Sequence, residues 1–247
     1  MQNIIAGRRP VMEALRAGTG IEKIVFLQGV QGAVIEEVRK LATDKGVAIE
    51  QATRQDFRVL ATDATTQGVV AIIGAQKKFT DIDGLLAIAE SRNEKCMLLV
   101  LDEIEDPQNL GALVRTADCA GVHGVVIPRH HSAGITATVV RASAGATEHV
   151  AMAEVTNVVQ TLKALKEKGL WVIGLAGEGD ASYAGVDYTT PVAIVVGNEG
   201  KGIRRLVREH CDHLVKIPMY GKVSSLNASV AGALVMYEAA RQRHAAA

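Results

Sequence analysis

Val192-Ala193-Ile194-Val195-Val196-Gly197-Asn198-Glu199-Gly200-Lys201-Gly202-Ile203-Arg204-Arg205 is the stretch on which the fold turns. Its first five residues are apolar without alternation, so both faces of the strand they form must be covered. That is the pattern of a parallel sheet with helices on either side. The glycines that follow let a ligand approach the backbone before the next helix starts. The loop is not a Walker loop, which needs Gly where Val195 stands and Ser or Thr where Gly202 stands. It does not read G-x-G-x-x-G either, and Gly174, Gly177 and Gly179 also miss that dinucleotide pattern.

Working outward, Met97–Leu101, Gly124–Ile127, Leu170–Leu175 and His213–Ile217 repeat the continuous strand pattern, with helical stretches between them. The alternation predicts an α/β sheet covered on both faces. Nearer the start, short strands at Lys23–Leu27, Val47–Ile49 and Gly68–Ile73 alternate with helical spacing at Val11, Ala14 and Leu15, at Ala33–Leu41 and at Gln55–Leu60. The first of these helices stops at Gly18. A small α/β unit is expected over residues 1–75. Gln76–Asp81 breaks the apolar pattern, Ile82–Ala89 reads as a short helix, and Ser91–Lys95 is polar, so a flexible linker is expected at 76–95. The second domain then spans 96–247, with Ala245–Ala247 a frayed end.

Composition narrows the function classes. At 247 residues, 48% hydrophobic and 22% charged, the chain is long and apolar enough for two cored domains and is not disordered. Lys+Arg and Asp+Glu both total 27, so no overall field draws in a polyanion, and any nucleic-acid contact is local. Aromatics at 3% are too sparse for a stacking platform. Cys96, Cys119 and Cys211 form no C-x-x-C and lie at no zinc spacing with histidine, so neither a disulfide framework nor a metal site is signalled. The thiols are expected to be reduced and mostly buried. No run approaches the roughly 18 apolar residues of a membrane span, and the start of the chain lacks a long apolar core. A cytoplasmic protein is expected.

In such sheets ligands collect at the carboxyl ends of strands. After Leu101, Asp106 is a candidate N-cap, Pro107 a first helical residue and Gly121 the residue past the helix end. Asn109 and Arg115 are left over. An arginine among Leu113, Val114 and Ala117 either meets an anion or lies on the rim with its stem along the core. After Ile217 comes Pro218-Met219-Tyr220-Gly221-Lys222-Val223-Ser224-Ser225-Leu226-Asn227, where Ser224 or Ser225 caps a helix expected to begin near Leu226. That helix interleaves Ala228, Ala231, Gly232 and Ala239 with Val230, Leu234, Val235 and Met236. A helix apolar all round is buried in a core or against a partner. Asn227 and Ser229, in its first turn, need a partner or a ligand unless they merely cap it. Polar sets at three strand ends suggest one ligand site.

These sets, Asp106–Gly111 with Arg115-Thr116-Ala117, Gly197–Gly202, and Ile217-Pro218-Met219 with Ser224–Ala231, resemble the three ordered motifs of the SpoU/TrmH branch of SPOUT RNA methyltransferases. Gly7, Val11–Leu15 and Gln67–Ala71 resemble the L30e-like RNA-binding domain that many members carry. Gly121-Val122-His123, Arg141–Ala146 before Glu148, and Arg208–Asp212 resemble most the RlmB type, which acts on a 23S rRNA guanosine. The resemblance implies an α/β fold in which a trefoil-knotted, parallel-sheet SPOUT domain follows a small L30e-like domain. It implies a homodimer paired through the C-terminal region and methylation of a guanosine 2′-oxygen in 23S rRNA. The methyl donor is S-adenosyl-L-methionine, held by the backbones around Leu175, Gly197, Ile217, Met219 and Leu226 with Asn198 nearby. No metal is required.

By the same resemblance Asn109, Arg115, Glu199, Ser225 and Asn227 form the catalytic set, with Arg115 taking the proton from the ribose. Guanidinium stays protonated up to a pKa above about 12, so Arg115 is better suited to gripping a phosphate, leaving Glu199 or that phosphate to accept the proton. Arg8, Arg9, Arg129, His130, His131 and Arg141 are candidate phosphate contacts. The competing readings are methylation of a tRNA guanosine, an inactive RNA-binding or assembly protein that keeps the fold, and an NAD-dependent oxidoreductase supported only by strand and glycine counts.

Overall fold

A computed structural model describes residues 3–17, 20–60, 66–73 and 79–245. Gly18, residues 76–78 of the expected linker, and Ala246 and Ala247 of the expected frayed end lie outside the described residues. The chain divides into two compact units. One is Met1–Lys77 with Gly134–Arg141, and the other is Lys78–Ala133 with Ala142–Ala247.

The first unit runs β1 (Asn3–Ala6), α1 (Arg8–Ala17), β2 (Ile21–Leu27), α2 (Ala33–Asp44), β3 (Ala48–Ala52), α3 (Arg54–Leu60) and β4 (Val69–Ile73). Its sheet has the order β1-β4-β2-β3, with β4 antiparallel to both neighbours and β2 parallel to β3. Period-two alternation sorts β2 and β4 between two cores. Ile24, Phe26, Val69 and Ala71 face α1 and α2, packing with Val11, Leu15, Ile35 and Val38. Val25, Val70 and Ile72 face the other way, packing with Phe57 of α3. The sequence reading missed β1, which joins the sheet through register pairs from Asn3↔Ile73 to Ala6↔Val70.

The second unit contains α4 (Ile82–Ser91), β5 (Met97–Asp102), α5 (Pro107–Cys119), β6 (Gly124–Pro128), β7 (Met152–Val155), α7 (Val158–Glu167), β8 (Trp171–Leu175), β9 (Ala181–Ser182), β10 (Val192–Gly197), α8 (Arg205–Arg208), β11 (His213–Lys216) and α9 (Ala228–Ala245). The helix α6 (Ala137–Ala142) falls almost wholly in the segment that groups with the first unit. The seven strands are ordered β7-β6-β5-β10-β8-β11-β9, and every pairing is parallel. Every residue of β5, β6 and β10 is buried, as their unbroken apolar runs require. The two sheets are separate.

Within the expected linker, Asp81 caps α4 by accepting from Gly84 N at 2.8 Å. Leu85 and Ala89, one turn apart, are buried in the core of the second unit. Of the three thiols, Cys96 is buried, Cys211 is partly buried and Cys119 is exposed.

The chain leaves β11 on the far side of β8 and returns to lay α9 against α5 and β10. The resemblance places the threading of its knotted end on this return. Near the end of α9, the Arg243 guanidinium donates to four carbonyl oxygens: Tyr188 at 2.8 Å, Thr190 at 2.9 Å, Cys96 at 3.2 Å and Lys95 at 2.5 Å.

The expected start and cap of α9 are corrected. The helix begins at Ala228, because Asn227 caps it: Asn227 Oδ1 accepts from Ser229 N at 2.9 Å and Val230 N at 3.3 Å. Asparagine caps as well as serine does, which leaves Ser224 and Ser225 in the preceding loop. Of the two alternatives for the apolar surface of α9, burial within the chain's own core fails for one face, since Val230, Leu234 and Tyr237 are 48%, 38% and 53% exposed.

Candidate active site

Because the sheet is parallel, β5, β8, β10 and β11 end along one edge, and their loops meet there. α5 starts as its sequence reads: Asp106 caps it by accepting from Gln108 N at 3.1 Å and Asn109 N at 3.3 Å, with Pro107 in first position. This fixes Asn109 in the first turn, where it is 6% exposed.

A cleft opens between the ends of β8, β10 and β11 and the start of α9. All six residues expected to hold the cofactor line it: Leu175, Gly197, Asn198, Ile217, Met219 and Leu226. Glu199 and Ser225 line it as well. Val196, Val215, Ala228 and Ala231 give it apolar walls. Gly197 is demanded by its surroundings, since a Cβ there would sit 2.3 Å from the carbonyl carbon of Gly202. The Asn198 side chain is committed to the loop itself. Its Nδ2 donates to Glu103 O at 3.1 Å, and its Oδ1 accepts from Gly200 N at 2.9 Å and Lys201 N at 3.3 Å.

At the cleft's mouth, one residue from the first turn of α5, one from the loop after β10 and one from the cap of α9 form a single cluster. Glu199 Oε1 accepts from Asn109 Nδ2 at 2.5 Å and also from Asn227 Nδ2. Asn227 Nδ2 reaches Asn109 Oδ1 at 2.9 Å as well. Asn227 thus does both things the sequence left open, its oxygen capping α9 and its nitrogen joining the cluster. It is exposed, whereas the expectation was an amide buried in apolar surroundings. The two amides hold in place a carboxylate that is itself exposed to solvent.

Ser225 is exposed and makes no hydrogen bond among the described residues. Arg115 stands apart from the cluster. It is exposed on α5, with no hydrogen bond or ion pair among the described residues, rather than paired with an anion of the chain. Six residues beyond Asn109, it points about a third of a turn away around the helix.

The candidate phosphate contacts differ in how free they are. Arg129 is bound to Glu154 at 2.9 Å, and His131 lies 3.8 Å from Glu105. Arg141 donates to Thr138 Oγ1 at 3.2 Å. Arg8 donates through Nε to Gln67 O at 3.1 Å, at a cleft of the first unit lined also by Gln28, Gly29 and Gly68. Arg9 and His130 are exposed, with no carboxylate paired to them among the described residues. The sequence reading missed Asp102 and Arg204, which face each other beneath the loop after β10. A charged residue closing the otherwise apolar run Met97–Leu101 was the available signal.

Residues 96–237 match the SpoU rRNA Methylase family, and residues 4–79 match a family described as RNA 2′-O ribose methyltransferase substrate binding. The chain belongs to the SpoU rRNA methylase family. A 42% identical relative, YacO of Bacillus subtilis strain 168, bears a name that places it in the TrmH family of tRNA/rRNA methyltransferases. The alignment covers 97% of this chain and 96% of that one. Among solved structures, the SpoU methyltransferase AviRb from Streptomyces viridochromogenes, in complex with the cofactor AdoMet, is 26% identical with a TM-score of 0.63. That match covers 99% of this chain and 91% of AviRb. The A. aeolicus TrmH/SpoU tRNA modifying enzyme is 32% identical with a TM-score of 0.57, over 66% of this chain and 84% of its own. A SpoU-family RNA methyltransferase is thus built here on an all-parallel sheet preceded by a mixed-sheet unit, in agreement with SPOUT architecture. Its cleft suits a nucleoside cofactor, with apolar walls for a flat base, strand-end residues around it, and the Glu199 carboxylate in its lining.

Proposed function

We propose that this SpoU-family protein methylates the 2′-oxygen of a guanosine ribose in 23S rRNA, working as a cytoplasmic homodimer with S-adenosyl-L-methionine as methyl donor. The observation that carries the reading is the Asn109–Glu199–Asn227 cluster at the mouth of the cleft. When bound, the cofactor supplies a methyl group already activated on a sulfonium.

The residues of the chain then have three tasks. The cleft walls from Leu175, Gly197, Ile217, Met219 and Leu226 hold the donor in one orientation, so that aligning it with the ribose oxygen contributes up to about 7–11 kcal/mol. Asn109 and Asn227 hold Glu199 by one oxygen, leaving the other to accept the proton of the 2′-hydroxyl as the oxygen–carbon bond forms and the carbon–sulfur bond breaks. Arg115, exposed and without an ion pair among the described residues, offers a planar fork to the phosphate beside the target ribose. Ser225, which lines the cleft and makes no hydrogen bond among the described residues, offers its hydroxyl to the ribose or the cofactor. Arg8 and Arg9 add local positive charge for the RNA backbone in a chain with no net charge, and His130 offers a ring N–H to it.

The dimer reading is supported by one stripe on α9. Val230, Leu234 and Tyr237 recur at helical spacing, are exposed, and with Ala112 and Thr116 of α5 line an apolar groove.

The test is to purify the protein, supply labelled S-adenosyl-L-methionine, and map 2′-O-methylation in rRNA and tRNA from a strain lacking the gene. One new methylated guanosine in 23S rRNA is the expected result. Label in tRNA alone would favour the second reading, which the tRNA/rRNA naming of the relatives supports. No label in either RNA, with no cofactor bound, would leave an RNA-binding protein without the chemistry.

A further inference from the structure

Asp102 ends β5 with no exposed surface, and the chemistry proposed above does not use it. Its carboxylate accepts three donors from one residue: Arg204 N at 2.8 Å, Nε at 2.8 Å and Nη2 at 2.6 Å. A carboxylate is costly to bury without such partners, so this position holds Arg204 firmly to the end of β5. Two apolar side chains of similar size would fill the space as stably, but they would not fix the direction of a fork.

Arg204 closes the loop that follows β10. The loop is cinched at its base, where Asn198 and Gly202 exchange backbone hydrogen bonds of 3.1 and 2.8 Å. Its near end is tied to the same strand end, through Asn198 Nδ2 to Glu103 O at 3.1 Å. Both ends of a short loop are therefore anchored to neighbouring residues of one strand end. That loop carries Glu199 and supplies the cleft wall from Gly197 to Gly202. Asp102 and Gly197 are register partners on adjacent strands, and the backbone of Gly202 packs so closely on Gly197 that no side chain fits between them.

We propose that Asp102 is a positioning residue that, through Arg204, sets the loop forming the cofactor cleft and carrying Glu199, although it lines neither. The proposal rests on reading this cleft as the cofactor site.

The test compares the full-length protein with Asp102→Asn, Arg204→Lys and Ala231→Trp, each kept well below its melting temperature. Cofactor affinity is read by calorimetry, turnover at saturating cofactor and RNA, and amide exchange over residues 198–203. Asp102→Asn should weaken S-adenosyl-L-methionine binding by about tenfold or more. It should also lower kcat, because Glu199 moves with the loop, and its loop amides should exchange faster until cofactor is added. Arg204→Lys keeps the charge and the backbone N–H but loses the fork, so it should fall between wild type and Asp102→Asn. If Asp102→Asn fails to fold, Arg204→Lys carries the test alone. Variants that melt lower yet bind and turn over like wild type would overturn the proposal, leaving the pair a purely structural one. Ala231→Trp fills the cleft and should abolish cofactor binding. If it binds normally, the cleft reading falls and this proposal falls with it, whereas normal binding by the Asp102 and Arg204 variants alone removes only the proposal.

Discussion

At the scale of residues, Asn227 is divided between two duties that mutation can separate. Asn227→Asp keeps the oxygen that caps α9 but sets a second carboxylate against Glu199, so stability should stay near wild type while methyl transfer collapses. Asn227→Ala loses both duties and should also lose about 1 kcal/mol of stability, the usual worth of a cap, read by chemical denaturation. Arg115→Ala should nearly abolish transfer while calorimetry shows cofactor binding intact. Arg115→Lys should rescue little, because a point charge does not reproduce the fork. Near-normal turnover for Arg115→Ala would remove Arg115 from the chemistry. Asn109 and Asn227 stood out in the sequence because each is polar in or beside an apolar helix and so needs a reason, and Arg115, singled out on the same ground, stands apart from their cluster. Arg204 was not, because its partner Asp102 lies 102 positions away and nothing local distinguishes it from a solvated arginine.

At the scale of elements, long apolar strands were legible and short ones were not. β9 has two residues, and β7 reads Met-Ala-Glu-Val, too little for periodicity to decide. β1 is held by pairing with β4, a long-range contact that local pattern does not carry. α4 was legible as a short helix, but its polar flanks assigned it to a linker, although its Leu85 and Ala89 are core residues. The start of β5 depends on a histidine from the turn before β6. His123 Nδ1 accepts from Met97 N at 3.0 Å, and Nε2 lies 2.9 Å from Glu94. Burial pushes the His123 pKa below its usual 6.5, and Glu94 opposes this only in part. Between the lowered folded value and 6.5 the unfolded chain binds the extra proton, so this contribution is complete above 6.5 and is lost as pH falls below it. The melting temperature should therefore drop on mild acidification, and His123→Gln should be less stable at neutral pH and show a shallower drop. An equal drop in the variant would place the acid sensitivity elsewhere.

At the scale of the whole molecule, no described helix is long and apolar enough to cross a membrane, and the charge is balanced, so association rests on local surfaces. Leu234→Asp puts a charge into the exposed stripe of α9 and should give the monomer mass in light scattering at micromolar concentration, with the fold retained by circular dichroism. A wild-type monomer would remove the dimer reading outright. The fold class was legible because covering a parallel sheet on both faces dictates composition over long runs, whereas the return of α9 to α5 leaves no local mark on sequence. That return ends in Arg243, whose four carbonyl partners belong to segments leading into β5 and β10. A motor protein or protease pulling from beyond α9 thus meets a clasp before it meets the core, and must strip one side chain from four anchors at once.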